Sequence, residues 1–440
     1  MNRIVIVGGG AAGMMAACAA AAQGAEVVLL EKNEKLGRKI YITGKGRCNF
    51  TNCCETDEFF SNIPRNPRFL YSSVRGFDSE AVRNWFEDRG VRTKVERGNR
   101  AFPLSDHASD ITRGLESEMR RLGVKIRLHS EVKQLLFENV NEAEESAAEK
   151  PGISDAGSGH SGTSSGCVRR VSGVILSDGT KIEASKVIVA TGGLSYPSTG
   201  STGDGYRFAE GAGHKVSERT PSLVPMNTKE ADIPLLQGLS LKNVTLTVRS
   251  GKKKLYSGFG EMMFTHFGIT GPLVLSASAD IQNQIRKGEL GAEIDLKPAL
   301  EEEKLNARIL REFGENPNRA VHNVVASLYP AKLIPVILER AEINPDMPVH
   351  DITKQQRQAL VYTTKHFAFT VTSLRGYNEA VVTRGGVNVK EIDPSTMESK
   401  LVRGLYFAGE VLDVDGYTGG FNLQIAWSTG HAAGEASAAV

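Results

Sequence analysis

The stretch that most constrains this chain is its beginning. The β-branched run Ile4-Val5-Ile6-Val7 ends in Gly8-Gly9-Gly10-Ala11-Ala12-Gly13, a Gly-x-Gly-x-x-Gly that opens into an Ala-rich helix. Strand, tight turn and helix in that order are what a dinucleotide-binding crossover requires. Gly8 permits the turn, Gly10 lets backbone approach a pyrophosphate, and Gly13 lets the helix lie against the strand. The phosphates then rest on the positive end of the helix, where unpaired N–H groups and the macrodipole favour anions. A second strand, Glu26 to Leu30, leads to Glu31, placed as the acid that binds a ribose.

The remainder of the composition narrows the partners. Lys and Arg number 53 against 51 Asp and Glu, a net charge of +2, so nucleic acid is not a favoured partner. The apolar run from residue 4 to 22 is a strand and helix rather than a signal peptide, and no other stretch approaches the ~20 apolar residues needed to cross a bilayer. No membrane partner is expected. Five cysteines without a secretion signal point to reduced thiols in the cytoplasm. No metal ligands are assigned, and nothing in the sequence fixes an oligomeric state.

After Glu31 comes a basic, glycine-rich stretch holding Lys32, Gly37-Arg38-Lys39 and Thr43-Gly44-Lys45-Gly46-Arg47-Cys48-Asn49. Cations on flexible backbone beside a pyrophosphate suit a loop that wraps an extended dinucleotide. Alternating segments at Glu131 to Phe137, Val168 to Leu176 and Lys181 to Ala184 read as an antiparallel meander, with Asp178-Gly179 as a hairpin turn. Val132 on its first strand joins the cofactor set. From about Asn139 to Gly166 the composition is Glu, Ala, Ser and Gly, which predicts a mobile surface insertion. A buried strand ends at Ala190-Thr191-Gly192-Gly193, small residues where backbone meets a cofactor.

Short strands with Gly and Pro turns then predict a small barrel over 201–299. Helical spacing predicts a helical insert over 300–364, with Leu305, Ile309, Leu310 and Phe313 on one face. The first domain, 1–200, is re-entered over 365–440. Near its end Gly409-Glu410, Asp413 and Gly419-Gly420-Phe421-Asn422-Leu423-Gln424 form a strand end, two acids and a glycine-led helix start. This is the second signature of flavoproteins, an acid on the ribityl chain and a helix start facing the pyrimidine end of the flavin. Together the two signatures favour FAD over NAD as the tightly bound cofactor. The fold class is therefore α/β, a Rossmann-type FAD-binding domain with a β-meander, interrupted by a β-barrel and a helical insert.

The order Thr43 to Asn52, Ala190 to Gly193, Gly203 to Tyr206, Phe264 to Pro272, Thr383 to Val387 and Gly409 to Gln424 resembles the BaiN/YhiN-like flavoproteins over essentially the whole chain. The resemblance implies an FAD-dependent oxidoreductase acting on a small molecule. Some members look like NAD(P)H-dependent reductases of 3-oxo-Δ4,6 bile-acid intermediates, the favoured expectation, and others like aminoacetone oxidases. For an enone substrate, hydride from flavin N5 adds to the β-carbon while a donor polarises the carbonyl. His266, Tyr417 and Tyr196, all in glycine-rich segments, are the candidate donors, with structural hydrogen bonding as the alternative for each. Cys48 and Cys53 have the Cys-x4-Cys spacing of a flavin disulfide reductase, although no second Gly-x-Gly-x-x-Gly between a strand and a helix is found in mid-chain to bind NAD(P)H. That class, and a flavin redox sensor without turnover, remain open. NAD(P)H is expected as a transient electron donor.

Overall fold

The computed structural model describes residues 3–141 and 167–439. Most of the expected insertion therefore lies outside the described residues. The chain divides into two units, Met1–Thr220 with Val382–Val440, and Pro221–Val381.

The first unit is built on a five-stranded parallel sheet whose spatial order is Leu405–Phe407, Lys186–Val189, Arg3–Val7, Glu26–Leu30 and Lys125–Arg127. Its inner strands carry near-continuous aliphatic runs, as strands buried on both faces must, and Ile4, Ile6, Leu29 and Val187 are sealed from solvent. The helix Ala11–Ala22 is buried from Ala12 to Ala21. An 18-residue terminal helix, Phe421–Ala438, packs along it. Two glycines set that approach: a Cβ on Gly430 would overlap the Ala12 carbonyl, and one on Gly434 would overlap the Ala16 carbonyl and the Ala19 methyl. The antiparallel meander Val132–Asn141, Cys167–Leu176 and Lys181–Glu183 shares the same hydrophobic core. Its first strand runs on to Asn141, past the expected end at Phe137.

In the second unit six strands close an antiparallel barrel. The last, Phe367–Leu374, was expected to open the return of the first domain. It instead pairs with Leu290–Asp295 on one side and Met226–Thr228 on the other, because its alternating Phe367, Phe369 and Val371 point into the barrel core. Conversely the helix Asp204–Gly211, expected in the barrel, contributes Tyr206, Phe208 and Ala209 to the first unit's core. The helices Glu302–Glu315, Ile334–Arg340 and Lys354–Lys365 share one core with the barrel. Leu310 does not belong to the buried face and is 44% exposed. The buried set Leu305, Ile309 and Phe313 steps by four residues and leaves Leu310 about 100° off the stripe. Among the described residues no helix is long and apolar enough to cross a membrane.

Candidate functional site

The N-terminal turn has the geometry its glycines predict. Gly8 has φ of 108°, and its missing Cβ leaves room for the Ala190 carbonyl. The missing Cβ of Gly13 does the same for the Gly8 carbonyl. Gly10 differs from both: a Cβ there meets nothing within 4 Å. It caps the helix Ala11–Ala22 without a side-chain hydrogen bond, so no side chain of the cap competes for the first helical N–H groups, which suits an anion site. Glu31 is 8% exposed. One of its oxygens accepts from the Gly9 N–H at 2.8 Å, and the other accepts from the Asn33 N–H at 2.8 Å and Asn33 Nδ2 at 2.6 Å. The acid at the end of the second strand thus braces the turn itself.

The basic loop is held in unusual backbone. Gly44, Lys45, Gly46 and Cys48 all have positive φ, a region that costs energy for lysine and cysteine and is kept only where the surroundings enforce it. The loop is fastened to the terminal helix: Trp427 Nε1 donates to the Phe50 carbonyl at 2.8 Å and Thr51 Oγ1 to Gln424 Oε1 at 2.5 Å. Lys45 is exposed. Arg38 donates to Asn33 Oδ1 at 3.0 Å.

The far signature closes onto this loop. Lys39 Nζ lies 2.6 Å from Glu410 Oε2 and 2.5 Å from Ser195 Oγ, while Ser195 Oγ donates to Glu410 Oε1 and the Thr383 N–H donates to the same oxygen at 2.8 Å. Gly193 is required beside them, because a Cβ would overlap Thr383 Oγ1. Gly409 lies against the Ala12 methyl in the same way. Gly419 and Gly420 have φ of 125° and 103°, and Gly420 abuts the Thr51 carbonyl. Ala190, Thr191 and Gly192 follow the strand Lys186–Val189 directly.

Several expected cofactor side chains are taken up by protein partners. Arg47 bonds Glu96 and Asp106 and lies over the Phe102 ring, and those two carboxylates raise its already high pKa. Asp413 is gripped by Arg65 through two hydrogen bonds. Lys32 lies 2.7 Å from Asp204. Burial pushes the Asp204 carboxyl up, but Lys32 and Thr202 outweigh it and hold it below the ordinary carboxylate range. Gln424 is fully buried, and its Nε2 donates to the Phe77 carbonyl and Ser428 at 2.9 Å each. Asn422 closes the Gly416–Tyr417 turn through three hydrogen bonds. Val132 and Phe421 belong to the hydrophobic core, against which Leu423 packs. In each case the motif builds the cradle, and the side chain serves the cradle rather than reaching out of it.

Two orphan groups speak for a ligand. Asn49 Oδ1 and Thr191 Oγ1 are buried with no hydrogen-bond partner among the described residues, a rare condition in a folded protein. Both lie in segments expected to meet the cofactor. With the open space at Gly10, they make the residues present fit a bound dinucleotide. Arg65, Ser195, Thr383 and Asp204 belong to this neighbourhood and were not singled out from the sequence. Of these Asp204 and Thr383 sat in quoted motifs.

The three candidate donors belong to different units. Tyr196, with φ of 51°, and Tyr417, whose N–H donates to the Asn62 carbonyl at 2.9 Å, belong to the first unit. His266 belongs to the second, exposed in the turn after the strand Lys253–Phe264 and edge-on to Phe267. Cys48 and Cys53 offer no activated thiol. Cys48 and Cys53 are free, and burial pushes Cys48 up to about 12 and Cys53 above its ordinary value. A redox-active pair needs a thiolate. Cys53→Ser is accordingly expected to keep flavin-dependent turnover within about twofold, whereas a disulfide mechanism predicts total loss.

His214 resembles a catalytic centre without being one. Its Nε2 lies 2.7 Å from Ser399 Oγ and its Nδ1 3.1 Å from Glu391 Oε2. That hydroxyl also accepts the Leu401 and Val402 N–H groups, and the imidazole is sealed from solvent, so the trio braces a turn. Burial lowers the His214 pKa against the pull of Glu391. A folded-state pKa below the unfolded ~6.5 means full stability above that pH and loss as pH falls beneath it. Thermal melts should therefore fall between pH 7 and 5, and fall less steeply in His214→Gln. Equal slopes would refute the assignment. His431, also lowered by burial, adds a share that remains in the variant.

Comparison with known proteins decides the family. The HI0933-like protein Rossmann domain matches residues 2–153 and 164–436. The chain belongs to that family. This HI0933-like chain is 33% identical over 415 residues to the 3-dehydro-bile acid delta(4,6)-reductase of Clostridium scindens, covering 94% of this chain and 93% of the relative. It is 34% identical to the ribosomal RNA dihydrouridine synthase of Haemophilus influenzae over 93% of this chain and 92% of that one. It is 31% identical to the protein of the same name from Escherichia coli, over 92% and 90%. The HI0933-like chain is an enzyme, an oxidoreductase on a Rossmann-type framework with an inserted barrel.

Proposed function

We propose that this enzyme saturates a carbon–carbon double bond conjugated to a carbonyl, with FAD lying across Gly8–Gly13 and Gly409–Gln424 and NAD(P)H as electron source, in the cytoplasm. The observation that carries the reading is full-length likeness, at 33%, to a reductase named for a 3-dehydro-bile acid. A 3-oxo-4,6-diene is a conjugated enone, the substrate class favoured here. The relatives named for dihydrouridine give a second reading of the acceptor. The uracil C5=C6 bond is also conjugated to a carbonyl, so the chemistry is common to both and the acceptor differs. The net charge of +2 favours the small molecule over RNA.

Bound in the cradle, FAD supplies a hydride at N5. The chain's own residues do the rest. The N–H groups ahead of Ala11–Ala22 hold phosphate, and Glu31 keeps their turn in shape. The Lys39 ammonium, fixed by Glu410 and Ser195, places positive charge where the basic loop meets the far signature. The acid that delivers the α-carbon proton is sought in Tyr417, Tyr196 and His266.

Anaerobic stopped-flow mixing tests the reading. NADH or NADPH should bleach the bound flavin, and a 3-oxo-4,6-dienoic bile acid should restore its colour while losing a double bond. Colour restored by a ribosomal RNA transcript alone would move the acceptor to the second reading. No response to either, with peroxide released from aminoacetone in air, would replace the reductase by an oxidase.

A further inference from the structure

We propose that the cavity beside Asp413 binds the adenosine end of the electron donor and selects its 2′-phosphorylated form, NADPH. The inference rests on the reading that a nicotinamide nucleotide reduces the flavin. Among the described residues a donor of that kind has no second Rossmann turn to dock on: the chain's other Gly-x-Gly-x-x-Gly, Gly157 to Gly162, lies in the Ser- and Gly-rich stretch outside them. The donor needs phosphate-binding side chains elsewhere.

The cavity has a volume of about 480 Å³ and lies wholly within the first unit, a size ordinary for small-ligand sites. Its walls bring together Arg65, Lys215, Arg384 and Lys390 against one carboxylate, Asp413. That carboxylate is already neutralised by Arg65. Glu391, adjacent to Lys390 in sequence, directs its Oε2 to His214 and to the Lys215 N–H. Among the described residues neither the Lys215 nor the Lys390 ammonium has an ion-pair or hydrogen-bond partner, although Lys390's neighbours Asn388 and Val389 also line the wall. Cations gathered in a concave polar site, with the local acids already engaged, are built for a dianion.

The cavity is also in the right place. Asp413 lies three residues beyond Glu410, no more than about 11 Å along the backbone, and Glu410 is the acid that ties the far signature to Lys39 of the basic loop. A dinucleotide held at Asp413 by its phosphate thus has its far end close to the segment that cradles the flavin. A polynucleotide fits less well. It tracks an extended cationic face, whereas these cations converge on one cavity in a chain whose charges nearly cancel.

Calorimetric titration of the FAD-loaded enzyme with 2′,5′-ADP and with 5′-AMP tests the proposal without turnover. The wild type should bind 2′,5′-ADP at least tenfold more tightly, and that preference should shrink as salt rises. Lys215→Ala/Lys390→Ala should erase it and raise the KM for NADPH about tenfold, with a wild-type melting temperature showing that the variant folds. Equal affinities in the wild type, or a preference that survives in the double variant, would overturn the proposal. So would an RNA oligonucleotide that displaces 2′,5′-ADP more effectively than NADP+. Equal bleaching by NADH and NADPH without a 2′,5′-ADP preference removes this inference and leaves the reductase reading standing. A clear preference with no bleaching by either nucleotide removes the reductase reading instead.

Discussion

Gly10→Val should yield a folded, colourless protein. The side chain points into space where no protein atom lies within 4 Å, so the fold has nothing to clash with. The cost to the helix N-terminus is at most about 1 kcal/mol, because valine caps less well than glycine. The ligand loses far more. A branched side chain where a pyrophosphate must approach backbone should weaken FAD binding at least 100-fold, about 2.7 kcal/mol. Absorbance at flavin wavelengths after desalting, beside a circular dichroism melt, reads both quantities. A yellow Gly10→Val protein would mean that the pyrophosphate lies elsewhere. Gly13→Val tests a different thing, since its side chain would strike the Gly8 carbonyl and damage the turn itself.

Gly430→Val is expected to be the most destabilising single substitution among those considered. The new side chain would be driven into the Ala12 carbonyl, which belongs to a buried helix and cannot retreat. Overpacking against backbone costs about 3 kcal/mol or more, on the order of a 10 °C loss in melting temperature for a unit of this size. Gly211→Ala is the matched control. Gly211 ends the helix Asp204–Gly211, has open space around it and negative φ, so alanine should leave stability unchanged or raise it by about 0.5 kcal/mol. If both variants melt alike, close approach of the two helices is not what Gly430 provides.

The parts of the architecture that were legible in the sequence are those written in short-range patterns. Ile4 to Val7 and Val187 to Val189 are continuous aliphatic runs because the sheet is covered on both faces, and the glycine turn lies directly between strand and helix. The barrel was legible as a class of strands and turns. Its closing strand was not, because Phe367 to Leu374 alternates in the same way whichever sheet it joins, and pairing partners leave no local mark. The candidate site follows the same division. Motif glycines identify backbone that must come close to something, so Gly8, Gly13, Gly193 and Gly420 fall where expected. The charges do not follow so simply. Lys39 and Glu410 are separated by 371 positions, and Arg65 and Asp413 by 348. No spacing rule links residues that far apart, so Arg65 passed unnoticed and Asp413 was assigned to the cofactor when its carboxylate already belongs to arginine. Arg47 illustrates the complementary trap. A cation in a glycine-rich loop suggests phosphate, but Glu96 and Asp106, on and beyond an unremarked hairpin, claim it first.

The position of Leu405–Phe407 at one edge of the parallel sheet has a consequence for how the protein is made. A ribosome working from the N-terminus completes Lys186–Val189 more than 200 residues before the strand that covers its open side. In that interval a Val-Ile-Val edge stands unpaired, the kind of surface that recruits strands from other nascent chains. Meanwhile Pro221–Val381 emerges as a contiguous segment with a barrel that closes on itself. The turn Gly8–Gly13 and the segment Gly409–Gln424 are likewise made almost 400 residues apart, so the first waits for the second through most of synthesis. Nascent molecules stalled before Leu405 should depend on chaperones far more than released ones.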